Sequence, residues 1–472
     1  MKTSDIDEIV RLFEKHFNDI VDIFELLPLS GSYREYCRIH TYGRSVIGAF
    51  NDDVKENTAF FSFTKHFRNQ GIPVPEIYTV SADQKKYLLE DLGDATLFDF
   101  LVKVREKEGF SEKIVNEYKR VLKLLPKLQV VAGKDLDYSV CCPRAAFDSQ
   151  SMMWDLNYFK YYFLKLAHIP FDEQALEDDF RAFSNYLLSA DSEYFLFRDF
   201  QSRNIMLQRG NVYFIDYQGG RRGALQYDLA SLLYDGKADI PEHVRKELFD
   251  FYLGELQEYL PVNVKEFSTY FHGFALIRIM QAMGAYGFRG FYEKKEHFLK
   301  SIPYALKNLK LLLDNLDLPV HLPELTRVLH ELTQSEVLKD IGTLTVSINS
   351  FSYKKGIPED PSGNGGGFVF DCRALNNPGR YDRYKNLTGK DLEIQRFIEE
   401  NSEINTFIDS VKVLVEQSVK VYIERGFSNL SVSFGCTGGR HRSVYSAEKL
   451  AEHLKNNFPI NVAIIHRELE NQ

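Results

Sequence analysis

Three polar residues near the middle of the chain have the types and the spacing that suit acid–base and metal chemistry. Asp199 and Asn204 stand five residues apart in FRDFQSRN, and Asp216 ends the β-branched and aromatic run NVYFID. In loops of this pattern the aspartate accepts the proton of an attacking hydroxyl, while the asparagine and the later aspartate hold Mg²⁺. The spacing therefore predicts Asp199 as the catalytic residue, Asn204 and Asp216 as metal ligands, and ATP and Mg²⁺ as cofactors.

A short turn upstream of these residues is predicted to lie against the nucleotide phosphates. In LSGSYREY, the small residues Ser30, Gly31 and Ser32 would let backbone amides approach an anion closely. The next strand, RSVIGAFN, lacks the lysine that usually faces the phosphates, so another cation must take its place. We predict Arg34, which follows the turn directly. The other candidates are Arg38, Arg44 and Lys55.

The strongest local motif lies far from these residues, in VSFGCTGGRHRSVYSAEKL. A strand, residues 430–434, runs into a glycine-rich loop with Arg440, His441 and Arg442, and a helix begins there. Glycines let backbone amides point inward and a helix amino terminus favours negative charge, so the loop is predicted to bind phosphate. Cys436 and Arg442 also match C-x₅-R-S, the pattern of cysteine-dependent phosphatases, which leaves a nucleophilic thiol as an alternative.

The order of the predicted elements indicates how these residues are positioned. Residues 1–93 read as a helix and then strands around a second helix, which is the order of a protein-kinase-like amino-terminal lobe. Residues 94–320 are largely helical, residues 321–340 form a linker helix, and residues 341–472 alternate strands and helices. The predicted fold is an α+β bilobal protein-kinase-like domain followed by a smaller α/β domain with a phosphate-binding strand–loop–helix.

Composition excludes several classes of protein. The 472 residues are 44% hydrophobic and 26% charged, as in ordinary globular chains. Residues 341–472 hold 16 basic and 16 acidic residues, so the net charge of −9 falls on the first 340 residues. Neither part has the excess of basic residues that a dedicated nucleic-acid binder carries. The five cysteines form no CxxC metal pattern, and no apolar run approaches the roughly 18 residues of a membrane span. We expect a reduced, cytoplasmic protein without a membrane anchor.

The first part of the chain resembles a known superfamily. The segments FRDFQSRNIML, VYFIDYQGG and GALQYDLASLLYD are similar to those of the aminoglycoside phosphotransferase and choline kinase superfamily. Within it they resemble most the AmgK-type anomeric amino-sugar kinases, which phosphorylate C1 of N-acetylmuramate or N-acetylglucosamine with ATP. The segments FDSQSMMWDLNYFKYYFL and RIMQAMGAYG resemble substrate-side helices of that branch. The resemblance implies that Asp155 and Arg278 contact the sugar.

The last part of the chain resembles a different family. The segments SFSYKKGIP, FVFDCRALNNPGRYDRYKNLTGKD and GCTGGRHRSVYSAEKLA are similar to those of the RapZ carboxyl-terminal domain, which binds glucosamine 6-phosphate and, in some members, a small RNA. This module is electrically neutral and ends without a basic tail, which disfavours RNA binding. The residues that the resemblance implies for a sugar-phosphate pocket are Asp371, Arg373, Thr437, Gly438, Gly439, Arg440, His441, Arg442 and Ser443.

Both resemblances point to amino sugars, and together they predict a function. We expect an ATP-dependent phosphotransferase for a small hydroxyl substrate, C1 of an amino sugar, with an appended domain that binds an amino-sugar phosphate. One alternative is a kinase for another small molecule, such as an aminoglycoside, choline or another sugar. A second alternative is a non-catalytic regulatory protein of amino-sugar metabolism, which the missing strand lysine and the single-glycine turn favour.

Overall fold

The protein forms two compact units. The first contains Met1–Phe288 and Tyr304–Ser335, and the second contains Arg289–Pro303 and Glu336–Gln472. The structure is a computed structural model, and it describes residues 1–28, 34–339, 341–359, 367–425 and 427–469.

An antiparallel sheet and two helices form the amino-terminal part of the first unit. In chain order the elements are α1 (Thr3–Phe17), β1 (Ile23–Leu26), β2 (Glu35–Thr41), β3 (Arg44–Phe50), α2 (Val54–Asn69), β4 (Ile77–Val80) and β5 (Lys86–Glu90). The strand order is β1-β2-β3-β5-β4, and every neighbouring pair is antiparallel. A Cβ at Gly48 would lie 2.6 Å from atoms of both Ile9 and Cys37, so α1 can pack this closely on β3 only over a glycine.

The rest of the first unit is mainly helical and contains one short hairpin and one further pair of short strands. Its elements are α3 (Leu97–Glu108), α4 (Glu112–Pro126), α5 (Ala132–Lys134), α6 (Ser149–Phe159), α7 (Glu173–Leu187), β6 (Tyr194–Leu196), β7 (Ile205–Gln208), β8 (Asn211–Phe214), β9 (Arg221–Gly223), α8 (Leu225–Leu233), α9 (Glu242–Gln257), α10 (Val264–Tyr286), α12 (Ile302–Leu313, from Tyr304 onward) and α13 (Pro323–Gln334). Strands β7 and β8 pair, as do β6 and β9. Helix α10 packs on α6 and α8, which brings three distant segments together behind the loop of Asp199.

Helix formation here follows the spacing of apolar residues. In α4 the buried residues Ile114, Tyr118, Val121 and Leu125 recur every three or four positions and so form one apolar stripe. That stripe lies inside the helical part of the unit, where α4 packs on α9. Burial of such stripes, rather than helix propensity alone, stabilises this helical region.

A parallel sheet is the centre of the second unit. Its elements are α11 (Glu296–Leu299), α14 (Glu336–Lys339), β10 (Thr345–Ser352), β11 (Phe368–Asp371), α15 (Leu392–Asn401), α16 (Ile404–Arg425), β12 (Asn429–Cys436), α17 (Arg442–Asn457) and β13 (Asn461–His466). The strand order is β11-β12-β10-β13, and all pairs are parallel. Because Ser352 pairs with Cys436 in register, the carboxyl ends of β10 and β12 meet at one edge, where the glycine-rich loop begins.

The observed elements confirm the predicted fold class. An antiparallel sheet with helices is followed by a parallel sheet with a strand–loop–helix, as expected. The segment predicted as a linker helix, residues 321–340, contains α13, which packs on α7 of the first unit through a 2.8 Å hydrogen bond from Leu325 N to Asp179. Within the described ranges, every helix is too short or too polar to cross a membrane.

Candidate active site

The loop that carries Asp199 is held from behind by a buried carboxylate. Strand β6 ends at Leu196, and Asp228 of α8 accepts the backbone N–H groups of Phe197 (2.8 Å) and Arg198 (3.1 Å). The side-chain amide of Gln129 donates a third hydrogen bond to Asp228 at 3.2 Å. Burial raises the pKa of Asp228 to about 7, although these three donors act to lower it. The carboxylate therefore fixes the backbone just before Asp199.

The three residues predicted for catalysis and metal binding lie together. Asn204 Nδ2 donates to the carbonyl oxygen of Asp199 at 2.9 Å and reaches Asp216 Oδ2 at 3.3 Å. The carbonyl oxygen of Asn204 accepts the N–H of Ile215 at 3.0 Å, which joins the two ends of the β7–β8 hairpin. Asp216 adopts the left-handed backbone conformation, with φ of +70°, and its other oxygen accepts from Gln218 at 2.7 Å.

The electrostatics of Asp216 suit a bound cation. Burial raises the pKa of Asp216 to about 6, the charge of Asp199 adds to the rise, and Gln218 and Arg34 oppose it. A divalent cation would relieve this clustering of negative charge, and Mg²⁺ prefers oxygen ligands from one or two side chains together with phosphates and water. Among the described residues there is no cluster of three or more histidine, cysteine or acidic side chains that could hold a metal unaided. Asn204 and Asp216 therefore fit a Mg²⁺ ion that is shared with a nucleotide.

Arg278 of α10 lies next to Asp199. Its Nη2 is 3.6 Å from Asp199 Oδ1, its Nε donates to Ser231 Oγ at 3.0 Å, and its Nη1 donates to Gln281 at 2.5 Å. One of its nitrogens is thus fixed by α8 and a second by Gln281 of α10 itself. The third nitrogen faces the carboxylate that is predicted to meet the acceptor.

Asp155, the other predicted sugar contact, binds an arginine of the loop. Its two oxygens accept from Arg198 Nη1 (2.7 Å) and Nη2 (2.6 Å), and Arg198 Nη1 also donates to the hydroxyl of Tyr227 at 2.6 Å. Arg198 has a φ of +86°, a conformation that is unusual for a residue with a side chain. Asp155 is 6% exposed, so this bidentate pair is buried. Sequence reasoning missed the role of Arg198, although the residue stands next to Asp199 in the motif.

The predicted nucleotide-binding residues are only partly described. Ser30, Gly31 and Ser32 lie outside the described residues. Arg34 is buried at the start of β2, where its Nη2 lies 3.1 Å from Glu56 of α2.

The loop of the second unit is shaped by one glycine. Gly439 has a φ of +69°, and a Cβ there would lie 2.8 Å from the backbone nitrogen of Ser352. Its own N–H donates to the sulfur of Cys436 at 3.1 Å, and Ser352 Oγ donates to the carbonyl oxygen of Thr437 at 2.7 Å. Within the loop, the exposed residues are Thr437 and Gly438.

Arg442 connects this loop to the segment after β11. Its Nη1 donates to the carbonyl oxygens of Arg373 (3.1 Å) and Leu375 (2.8 Å), and its Nη2 reaches Thr437 Oγ1 at 3.4 Å. Asp371 and Arg373 form an ion pair with each other at 2.6 Å. The predicted residues of this pocket thus come from two segments that Arg442 holds side by side.

Three buried polar atoms beside the loop have no hydrogen-bond partner among the described residues. They are Nε of Arg440, Nε of Arg442 and Oε1 of Glu468, and the side chain of Glu468 lies against Gly439. The other oxygen of Glu468 pairs with Lys355 at 2.5 Å. Burial chiefly lowers the pKa of His441, whose Nε2 is 3.1 Å from the carbonyl oxygen of Tyr384. Two cations and an anion with unused hydrogen-bonding capacity therefore flank the loop.

The geometry argues against the alternative of a cysteine-dependent phosphatase. Cys436 is 2% exposed, and its sulfur contacts Ser443 Oγ at 3.2 Å and the N–H of Gly439. The Arg442 guanidinium faces backbone carbonyl oxygens. A nucleophilic thiolate needs access to its substrate and an electropositive environment, and this sulfur has no such access.

Comparison with protein families assigns both units. Residues 38–262 match the phosphotransferase enzyme family, and residues 344–470 match the RapZ C-terminal domain. The chain joins a phosphotransferase domain to a RapZ C-terminal domain. This confirms the predicted families and, for the first unit, the predicted class of phosphotransferase. The acceptor of the phosphotransferase domain and the ligand of the RapZ C-terminal domain stay predictions.

Individual relatives match only part of the chain. A nucleotide-binding protein of Thioalkalivibrio sulfidiphilus is 38% identical over 126 residues, which cover 27% of this chain and 42% of that protein. A nucleotide-binding protein of a Ruegeria species is 42% identical over 129 residues, which cover 27% of this chain and 41% of that protein. The chain thus spans about two fifths of the length of these curated relatives.

Solved structures of two kinases match the chain at low sequence identity. A choline kinase from Cryptosporidium parvum is 13% identical, with a TM-score of 0.49, and the match covers 69% of this chain and 99% of that one. An ethanolamine kinase from Plasmodium vivax is 14% identical, with a TM-score of 0.44, and the match covers 62% of this chain and 82% of that one. Likenesses at this level carry no information on the acceptor.

Removal of Asp155 tests the buried ion pair. We expect Asp155→Ala to lower the free energy of unfolding of the phosphotransferase domain by about 3–5 kcal/mol, because Arg198 would stay buried without its carboxylate. Urea unfolding can be followed by the fluorescence of the single tryptophan, Trp154, in α6. The control is Asp178→Ala, whose ion pair with Arg181 is exposed and should contribute less than about 1 kcal/mol. Equal losses in the two variants would contradict a stabilising buried pair.

The titration of Asp216 should make stability depend on pH. Its pKa in the folded protein, about 6, lies above the ordinary value of 3.8, so the folded state binds this proton more tightly. The resulting stabilisation is fully present below about pH 4 and is lost as pH rises to about 6. The difference in unfolding free energy between wild type and Asp216→Asn should change across that range, as measured by urea unfolding from pH 4 to 7. A difference that is constant with pH would refute the raised pKa.

Proposed function

We propose that the phosphotransferase domain transfers the γ-phosphoryl group of ATP to the C1 hydroxyl of an amino sugar, N-acetylmuramate or N-acetylglucosamine. The observation that carries the proposal is that Asn204 and Asp216 meet at the two ends of the β7–β8 hairpin and that Asn204 also binds the backbone of Asp199. These side chains supply a proton acceptor and two oxygen ligands within one small volume, which is what phosphoryl transfer requires.

Each residue of this group has a distinct role in the proposed reaction. Asp199 orients the acceptor hydroxyl and takes its proton while the new P–O bond forms and ADP leaves. Asn204 and Asp216 would hold Mg²⁺ beside the bound nucleotide. The ion, when bound, neutralises the charge that develops on the phosphoryl oxygens. Arg278, 3.6 Å from Asp199, is placed to contact an acceptor that binds there, and an arginine suits a carboxylate such as the lactyl group of N-acetylmuramate.

The choice of an amino sugar rests on two independent parts of the chain. The segments around Asp199 and Tyr227 resemble anomeric amino-sugar kinases, and the resemblance to the RapZ C-terminal domain implies an amino-sugar phosphate as ligand. Asp155 has both oxygens occupied by Arg198, so we assign it to positioning the loop rather than to the sugar.

The deciding experiment is ³¹P NMR of the full chain with Mg-ATP and each sugar. An anomeric sugar phosphate should appear, and Asp199→Asn should slow its formation by about 10²–10⁴-fold, since a positioned general base contributes that much. Asp250→Asn, a change at an exposed position of α9, is the matched control and should leave the rate unchanged.

Other outcomes of this experiment separate the alternatives. Product only with choline, an aminoglycoside or another sugar would replace the proposed acceptor and keep the phosphotransferase assignment. ATP binding without turnover on any acceptor would favour the regulatory protein. Equal rates for Asp199→Asn and wild type would refute the role of Asp199.

We further propose that the RapZ C-terminal domain binds an amino-sugar phosphate at the loop from Thr437 to Ser443, beside Asp371 and Arg373. The supporting observation is the pair of unsatisfied buried atoms on Arg440 and Glu468, one cationic and one anionic. A buried polar group without a partner is costly, and a ligand with a phosphate and an amino group offers a partner to each. Together the two domains would then act on amino sugars and bind an amino-sugar phosphate.

Isothermal titration of the full chain with glucosamine 6-phosphate tests this second proposal. Arg440→Gln should weaken binding by about 10- to 100-fold, the usual effect of losing a hydrogen bond to a charged group. Arg396→Gln, at an exposed position of α15, is the control. Glucose 6-phosphate should bind more weakly than glucosamine 6-phosphate, because it has no amino group for Glu468. Equal affinity for both ligands would refute the role of Glu468, and no affinity for either would refute the site.

A further inference from the structure

The phosphotransferase domain lacks the usual cation for the nucleotide phosphates, and the structure narrows the candidates to replace it. Strand β3, Arg44–Phe50, has no lysine. In most kinase-like domains a lysine on this strand faces the phosphates and pairs with a glutamate of the following helix. Some other positive side chain must lie close to the same space if the domain binds a nucleotide triphosphate or diphosphate.

Three of the four cations that the sequence suggests for the nucleotide phosphates lie in surroundings that do not fit this role. Arg38 Nε lies 2.8 Å from Asp91, which directly follows β5. The guanidinium of Arg44 lies over the ring of Phe17 in α1, 4.3 Å from its centre. Lys55 is exposed on the first turn of α2. Neither of these two contacts involves a residue of the catalytic loop or its hairpin.

Arg34 has the surroundings that the role requires. It is 4% exposed, its Nη2 lies 3.1 Å from Glu56 Oε1, and its guanidinium lies 5.5 Å from the ring centre of Phe60. Phe60 in turn stacks on Tyr217 at 5.2 Å, the residue that follows Asp216.

We infer that Arg34 supplies the positive charge for the phosphates of the bound nucleotide and that Glu56 is the residue that positions it. Arg34 and Glu56 would then take the role of the lysine–glutamate pair. The cation would lie at the start of β2 instead of on β3. This inference rests on the proposed function of the phosphotransferase domain. It adds a positioning residue, Glu56, that no motif in the sequence identifies.

Glu56 is itself held on both sides, which is why it can fix the orientation of Arg34. Its Oε1 pairs with Arg34, and its Oε2 accepts from Asn51 Nδ2 at 2.9 Å. Its backbone N–H donates to Asp53, the residue that caps α2. A carboxylate with both oxygens occupied at a capped helix terminus has little freedom to turn. The guanidinium is therefore preorganised before any nucleotide arrives.

Binding of ADP and of adenosine to the full chain tests this inference without any acceptor. Arg34→Met should raise the Kd of ADP by about 10- to 150-fold, as expected for lost hydrogen bonds to a charged group, and leave the Kd of adenosine unchanged. Arg34→Lys, which keeps the charge, should recover most of the loss. Glu56→Gln should raise the Kd of ADP by roughly threefold to tenfold, since the guanidinium keeps its charge but loses its fixed orientation. Arg44→Met is the control and should match wild type for both ligands.

The comparison of the two ligands separates a role in binding from a role in folding. Equal losses of ADP and adenosine affinity in Arg34→Met would show that Arg34 only maintains the structure, and an unchanged ADP affinity would show that another cation meets the phosphates. Either result overturns the inference. If Arg34→Met does not fold, the Glu56→Gln variant decides by the same criterion. Wild type that binds neither ligand would refute the proposed function itself.

Discussion

The phosphotransferase domain depends on one buried carboxylate. Asp228 is completely buried, and it accepts hydrogen bonds from the backbone of Phe197 and Arg198 and from the side chain of Gln129. Gln129 is held in turn by the hydroxyl of Tyr252 at 2.7 Å. A buried carboxylate is tolerated only when its oxygens are hydrogen-bonded, so any movement of the loop would leave this group unsatisfied. The position of Asp199 is therefore set by groups that take no part in the chemistry.

The negative charges near the site are balanced by arginines from separate elements. Arg198 pairs with Asp155 of α6, Arg278 of α10 approaches Asp199, and Arg34 at the start of β2 pairs with Glu56. Burial chiefly raises the pKa of Asp216, and the charge of the nearby Asp199 adds to the rise, so positive side chains around the site oppose this repulsion. The planar guanidinium suits this task because it can donate to both oxygens of a carboxylate at once, as Arg198 does.

The proposed phosphate site of the RapZ C-terminal domain is built on a different architecture from that of the phosphotransferase domain. Its loop follows a central strand of a parallel sheet, where the positive end of α17 lies next to the carboxyl ends of β10 and β12. Gly439 lets the loop pass within contact distance of Ser352, and Arg442 holds the segment after β11 against it. Phosphate recognition would thus arise here from backbone geometry and surrounding charges. In the phosphotransferase domain it would arise from side chains on hairpin ends.

The sequence by itself determined the features that depend on local chain geometry. The spacing of Asp199, Asn204 and Asp216 predicted their convergence, because a five-residue loop and a short hairpin leave few other arrangements. Hydrophobic periodicity and the glycine-rich strand–loop–helix predicted the fold class, because these patterns also depend on local chain geometry. Only the tertiary structure decided that Asp155 binds Arg198, 43 residues away, and that Arg34 pairs with Glu56. Charged side chains of either sign have many potential partners in a sequence with 58 basic and 67 acidic residues, and only the packing of helices and strands selects among them.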